Sequence, residues 1–350
     1  MLRWRTVEDE PQGMLFADEE VVERHVGRGE FRGLEFFHVR CRTIVNTVPA
    51  ASRMPFTHTI NAYRGCSHAC VYCFARPTHH YLGLGIGEDF ERKIVVKVNA
   101  VERLRAELAS PRWRGQAIAM GTNTDPYQRA EGKYHLTQGI VRTLAERANP
   151  FSILTKSTLV LRDLDVLADA ARATRVRVDL SIATLDDDVW RRTEPGAPHP
   201  RRRVEAVARL NEAGVPSGVL LGAVLPGISD GDEQLREVVD ACVAAGAVSV
   251  SAVPLHLRPG VKEHFLASLR EQFPDHVERY ERRYAGRAYL PAAEGKALAE
   301  RVRAFVADAR RRHHRPAIAR SRIEFELGPP AALPAVVADR SEQLGLGLDA

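Results

Sequence analysis

The sequence predicts an α/β protein built on a partial (β/α)6 TIM-like barrel with parallel strands, an N-terminal extension and a C-terminal helical region. Three observations predict it. From Met54 onward, short β-branched or apolar runs alternate with helix-like stretches, the pattern of βαβ units and a parallel sheet. Polar and glycine clusters recur at the carboxyl ends of those runs, where such sheets carry their chemistry. Beyond about residue 262 the rhythm gives way to helices alone.

Taken in order, residues 1–53 read as an extension, with a strand at Leu34–Val39 and another around Arg42–Val45. The barrel strands are expected at Phe56–Ile60, Gln116–Gly121, Phe151–Thr155, Val176–Ile182, Pro216–Val224 and Val248–Pro254. Ile94–Val98 is a further strand candidate, set apart as a lead-in to the first helix rather than a barrel strand. Helices are expected at Ala100–Ala109, Leu136–Arg147, Leu164–Ala173, Arg201–Ala213 and Glu233–Ala245. The barrel then spans 54–261. A helical region packed on it follows at 262–327, with helices at Val261–Glu271, Asp275–Tyr284 and Ala293–Arg311. The last ends in a run of arginines that favours a helix C-terminus. Residues 328–350, rich in Pro and Ala, read as a mobile tail.

Composition bounds the class. The 350 residues are 45% hydrophobic and 27% charged, which is globular rather than disordered. The longest apolar runs are strand-length, so no membrane span is expected. The N-terminus lacks the apolar core of a signal peptide, and the expected compartment is the cytoplasm. The formal net charge of +5 is carried almost wholly by arginine, with lysine only at 93, 97, 133, 156, 262 and 296. That balance permits a nucleic-acid partner without demanding one.

The cysteines are Cys41, Cys66, Cys70, Cys73 and Cys242. An odd count with three in one window argues against a secreted disulfide framework and for a metal site. Gly65-Cys66-Ser67-His68-Ala69-Cys70-Val71-Tyr72-Cys73 gives the spacing C-x3-C-x2-C. Structural zinc sites need a fourth ligand and show two separated pairs. An ordinary [4Fe–4S] site takes four cysteines. Here the other two are remote in sequence, which would leave one iron open. Cys242 falls on an apolar stripe with Leu235, Val238, Val239 and Val243 and reads as core. Cys41 reads as structural.

C-x3-C-x-aromatic-C, with Tyr72 in the aromatic place, resembles the signature of the radical S-adenosylmethionine (radical SAM) superfamily. Asn61–Cys66, Cys73–Arg76, Thr124–Gln128 and Leu154–Lys156 further resemble the SplB-like proteins, relatives of spore photoproduct lyase, over roughly residues 54–290. The resemblance implies a [4Fe–4S] cluster on Cys66, Cys70 and Cys73, and S-adenosylmethionine chelated to its open iron. The reduced cluster would cleave that cofactor to a 5′-deoxyadenosyl radical, which abstracts a hydrogen atom from substrate. An external reductant such as flavodoxin or ferredoxin is implied.

The same resemblance suggests the cofactor-binding residues. Lys156, at a strand end, would meet the cofactor's carboxylate; the bland reading is a solvated lysine. Thr124 and Asp125 occupy the place of the superfamily's amino-group-binding loop; the alternative is an Asp-Pro turn. Ser181 could bond a ribose hydroxyl or simply fill a barrel layer. Arg203 could reach the cofactor carboxylate, while Arg201 and Arg202 read as a solvated helix start. Tyr72 completes the set. His68 reads as an outer neighbour of the cluster, His79 and His80 stay unassigned, and His256 and Arg258 stand equally between site and loop roles. No catalytic residue is named by the sequence. One departure stands out: the lyase returns a hydrogen atom from a cysteine, and Gly121 occupies the corresponding place here.

Three functional readings follow. The first is a radical enzyme acting on DNA or another nucleic acid, with DNA repair in view and Arg53, Arg258, Arg279, Arg282 and Arg283 as phosphate contacts. The second keeps the chemistry but acts on a small molecule, a peptide or a tRNA. The third is a non-catalytic nucleic-acid-binding protein with a structural metal. In the tail, Gln343–Leu348 loosely resembles the glutamine-leucine peptides that bind the bacterial replication clamp.

Overall fold

Parallel strands in the order β11-β10-β9-β8-β7-β4 form the frame that carries the site, in a computed structural model that describes residues 20–49 and 54–316. They are β4 (His58–Ile60), β7 (Ile118–Met120), β8 (Phe151–Thr155), β9 (Val176–Ser181), β10 (Ser217–Val224) and β11 (Val250–Pro254). A seventh strand, β3 (Val45–Thr47), pairs antiparallel with β4 and ends the sheet on that side. The sheet is the expected six-strand partial barrel with one extra edge. The parallel strands read as apolar because helices cover the outer face and the barrel core fills the inner one.

Between the strands run α1 (Ala100–Leu108), α2 (Leu136–Glu146), α3 (Leu164–Ala173), α4 (Pro200–Glu212) and α5 (Asp232–Ala244). Each presents an apolar stripe to the sheet; in α5 it is Leu235, Val238, Val239, Cys242 and Val243, all buried. Helix α4 starts where expected for a chemical reason. Pro200 sits in its first turn and the His199 imidazole accepts from the Arg201 amide at 3.2 Å.

A second sheet, in the order β1-β2-β6-β5, consists of β1 (Glu20–Val26), β2 (Glu35–Arg40), β5 (Tyr63–Arg64) and β6 (Lys93–Lys97). The segment read as a helix lead-in is therefore a strand, but of this sheet and not of the barrel. Its apolar residues Ile94, Val95 and Val96 are fully buried because both faces of β6 are covered.

After β11 come α6 (Val261–Gln272), α7 (Val277–Arg283) and α8 (Ala292–Arg312). They do not act as one unit. Leu298, Val302, Phe305, Val306 and Ala309 of α8 join the main barrel core, so α8 serves as the helix that follows β11. Helices α6 and α7 instead pack Phe265, Leu269 and Tyr280 into a separate cluster with Cys70, Tyr72, Leu255 and Leu257. No described helix is long and apolar enough to cross a membrane. Arg53 and the tail segment Gln343–Leu348 lie outside the described residues.

Candidate active site

The cysteine loop leaves β4 and β5 at the carboxyl end of the barrel, and backbone contacts fix its shape. The Cys66 amide donates to Phe90 O at 2.9 Å, and the Val71 amide to Thr193 O at 3.0 Å. Gln128, fully buried, clamps the start of the loop: its Oε1 accepts from the Ser67 amide at 3.0 Å and its Nε2 donates to Gly65 O at 2.8 Å. Thr124 Oγ1 also donates to Gly65 O. The Gly196 amide donates to His68 O at 3.0 Å, and a Cβ at Gly196 would stand 2.1 Å from Ser67 O. Only glycine lets the two chains approach this closely.

Arg76 is the residue that sequence reasoning passed over. It is fully buried, donates through Nη2 to Cys70 O at 2.9 Å, and pairs with Glu91 at 2.5 Å. It ties the middle of the loop to the short helix Glu88–Arg92. Its only signal was an arginine three residues beyond the last cysteine.

The three cysteines line one cavity of about 190 Å³ together with Tyr72, Phe74, Thr124, Lys156, Ser181, Gly222 and His256. Cys242 lies in the α5 core, and Cys41 is bonded to Asn99 at 3.4 Å, so no fourth thiol reaches it. Burial pushes all three thiols up, Cys70 to about 12 even with Lys156 pulling the other way. Three thiolates here need a metal centre's positive charge beside them, which is what an iron–sulfur cluster brings.

Lys156, at the end of β8, lies at the cavity wall. Its ammonium donates to Ser181 Oγ at 2.6 Å and Gly222 O at 3.2 Å, and stands 3.4 Å from a Glu194 oxygen. Ser181 Oγ donates in turn to Gly222 O at 2.9 Å. Tyr72 closes the group, its hydroxyl bonded to Glu194 and its ring 5.7 Å from the ammonium. No role for Glu194 was read from the sequence; here it is the buried centre of the charges. Burial raises a carboxyl, but Arg203 and Lys156, with the Tyr72 hydroxyl bond, outweigh it and hold Glu194 at about 2.

Two expectations change. Arg203 is fully buried, 2.5 Å from Glu194, with Nη1 donating to Ser181 O at 2.9 Å and Nε to Pro198 O at 2.8 Å. It does not line the cavity; it pairs with Glu194, which in turn meets Lys156 and Tyr72. Asp125 lines the cavity, but its acceptor sites are filled. Oδ1 accepts from Thr155 Oγ1 at 2.6 Å and the Tyr127 amide at 2.9 Å. Oδ2 accepts from the Lys156 amide at 2.7 Å and lies 3.3 Å from His68 Nδ1. A carboxylate offers about four such positions. Asp125 therefore cross-links the β7 loop, β8 and the cysteine loop, and no lone pair is left for a cofactor amine.

Gly121 also gains a reason. Its φ is +90°, and a Cβ there would lie 2.0 Å from Leu154 O. The backbone forbids any side chain, a thiol hydrogen donor included.

A barrel mouth that spreads three thiols around one cavity, with a lysine and hydroxyls facing it, defines an iron–sulfur enzyme with space for a small cofactor. Residues 60–240 match the radical SAM superfamily. An uncharacterized protein of Mycobacterium tuberculosis is 44% identical over 295 residues, 84% of this chain and 87% of the relative. A radical SAM Nalpha-GlyT isomerase of Pseudomonas phage M6 is 26% identical over 199 residues, 57% of this chain and 38% of the phage protein. Among solved structures, spore photoproduct lyase complexed with dinucleoside spore photoproduct has a TM-score of 0.56 at 17% identity, covering 78% of this chain and 79% of that one. A form of that lyase with bound AdoMet gives 0.55, covering 77% and 78%.

The chain belongs to the radical SAM superfamily and has the fold of spore photoproduct lyase. It is an enzyme whose cofactors are a [4Fe–4S] cluster and S-adenosylmethionine, which together supply a 5′-deoxyadenosyl radical for hydrogen abstraction. The reading of a non-catalytic protein with a structural metal is set aside by that membership.

Proposed function

We propose that the substrate is a nucleic acid and that a nucleotide unit is drawn to the barrel mouth for hydrogen abstraction. One observation carries this reading. At the cavity rim, Phe74 stacks on His256 with centroids 6.4 Å apart and planes at 11°, and His256 stacks on Tyr289 at 4.4 Å and 16°. Phe74 and Tyr289 are 45% and 59% exposed. Arg258 Nε is 3.2 Å from His256 Nε2. An exposed row of parallel aromatic rings beside an arginine is a stacking platform for bases leaving a duplex or already single-stranded. The dinucleoside bound in the solved lyase structure accords with this reading.

Within it, Cys66, Cys70 and Cys73 hold the cluster. Lys156 exchanges a protein partner for the cofactor's carboxylate, and Ser181, Thr124 and Tyr72 shape the rest of the pocket. Arg203 and Asp125 act as positioning residues. Arg258, Arg279, Arg282 and Arg283 meet phosphates. The electron donor is flavodoxin or ferredoxin, and the enzyme works in the cytoplasm. The Gly121 backbone disfavours repair of thymine lesions by return of hydrogen from a thiol at that place. The second reading keeps the radical chemistry and takes a small molecule, a peptide or a tRNA as substrate.

The test is anaerobic. The cluster is reconstituted and reduced with dithionite, S-adenosylmethionine is added, and 5′-deoxyadenosine is measured with and without single-stranded DNA, duplex DNA and RNA. At least one nucleic acid should raise its formation about tenfold, and Phe74→Ala and Tyr289→Ala should abolish the increase at unchanged iron content. Equal formation with and without every nucleic acid, from a protein that cleaves the cofactor, would overturn the reading.

A further inference from the structure

A second concentration of ligating groups lies outside the barrel, on the four-stranded sheet. Glu23 and His25 are two residues apart on β1, so their side chains leave the same face. Glu23 faces His38 directly across the antiparallel ladder of β1 and β2. His25 Nε2 lies 2.9 Å from Glu23 Oε2, His38 Nδ1 lies 3.7 Å from the same oxygen, and the two imidazole centroids are 4.4 Å apart. Among the described residues this is the one group of three His, Cys, Asp or Glu whose ligand atoms all lie within 4.8 Å of one another.

The spacing suits a small metal ion. Tetrahedral bonds of about 2.0–2.1 Å to nitrogen and oxygen put neighbouring ligand atoms about 3.4 Å apart. The two measured edges bracket that value. His38 is also held as a ligand would be. Its Nε2 is 2.8 Å from the Tyr134 hydroxyl, which orients the ring so that Nδ1 faces Glu23. Metal-bound histidines have their outer nitrogen held in this way. The His38 side chain is 15% exposed and that of Glu23 58%, so the site has a fixed inner wall and an outer side open to water. The nearby Lys133 ammonium, 5.2 Å from the Tyr134 ring centroid, opposes a cation, and the Glu23 carboxylate offsets it. Arg24 does not interfere: it points to the other face and pairs with Glu35 at 2.5 Å.

We propose that Glu23, His25 and His38 bind a divalent transition-metal ion of the zinc type, which clips β1 to β2. Two imidazoles with one carboxylate favour zinc, cobalt or nickel over magnesium or calcium. None of the three residues lines the barrel cavity, so this ion is distinct from the iron–sulfur centre.

The test is calorimetric titration of the cluster-loaded enzyme with zinc chloride, under anaerobic conditions, with iron content checked before and after. The expected result is one zinc per chain at micromolar affinity or tighter. Tyr134→Phe should weaken it about tenfold or more through the lost outer bond. The double variant His25→Ala/His38→Ala should lose the site while keeping its iron and its far-UV spectrum. Zinc uptake equal in the double variant, or filling only at millimolar zinc, would overturn the proposal. Should the double variant not fold, Glu23→Gln alone replaces it, and unchanged affinity there is equally fatal.

Discussion

Glu194 and Arg203 are both sealed from solvent, and each depends on the other. Replacing Glu194 by Gln would leave the guanidinium buried without its counter-charge. Breaking one side of such a pair costs about 3–5 kcal/mol. Thermal melting of E194Q should show that loss. The sign of the pH dependence follows from the carboxyl being held at about 2 against an ordinary value of 4.5. A depressed acid stabilises the fold fully above about pH 4.5, and that contribution drains away as pH falls towards 2. In E194Q the slope of stability between those values should flatten, and an unchanged slope would show that the pair does not carry it. The cysteine ligands were legible in the sequence because they sit on one short stretch of chain. The roles of Arg203 and Asp125 were not, because their partners come from other elements. Glu194 approaches Arg203 from the preceding loop, and Thr155 and Lys156 approach Asp125 from the next strand. Spacing along a chain cannot show that a carboxylate's lone pairs are already taken.

At the scale of elements, alternation placed the barrel strands and helices within a few residues. Val176–Ser181 shows why: alternate side chains are buried until the strand end, where Leu180 in the core and Ser181 at the cavity are both buried. Strand β1 was missed because it is an edge strand whose Glu23, Arg24 and Val26 face water. Helix α8, read as part of a helical region packed on the barrel, buries Leu298, Val302, Phe305, Val306 and Ala309 in the barrel core. The junction of β7 with β8 carries a prediction at this scale. Gly121→Ala would demand a positive φ of alanine and drive its Cβ into Leu154 O, 2.0 Å away. Strands β7 and β8 would have to part, at a cost on the order of 4 kcal/mol. A melting temperature within a degree or two of wild type would refute that account.

The molecule as a whole sets a parallel sheet with edges at β3 and β11 beneath a mouth roofed by the cysteine loop, α6 and α7. The class of chemistry was readable from the sequence because it rests on one local motif. The aromatic row at the rim was not, since it gathers Phe74, His256 and Tyr289 from three distant stretches of chain. The pins on the cysteine loop have a further consequence. Phe90, Gln128, Thr193, Gly196 and Arg76 hold it through groups of the protein alone, none of which waits for iron. A loop held in this way is expected to keep its shape when the cluster is removed. Stripping iron with a chelator should leave the far-UV spectrum intact, and anaerobic iron and sulfide should restore the full complement without a refolding step. Collapse of the helical signal on stripping would refute this. For a cell, such a loop would separate two events in the enzyme's life: the chain could be made and stored while iron is scarce, and commissioned when the metal arrives.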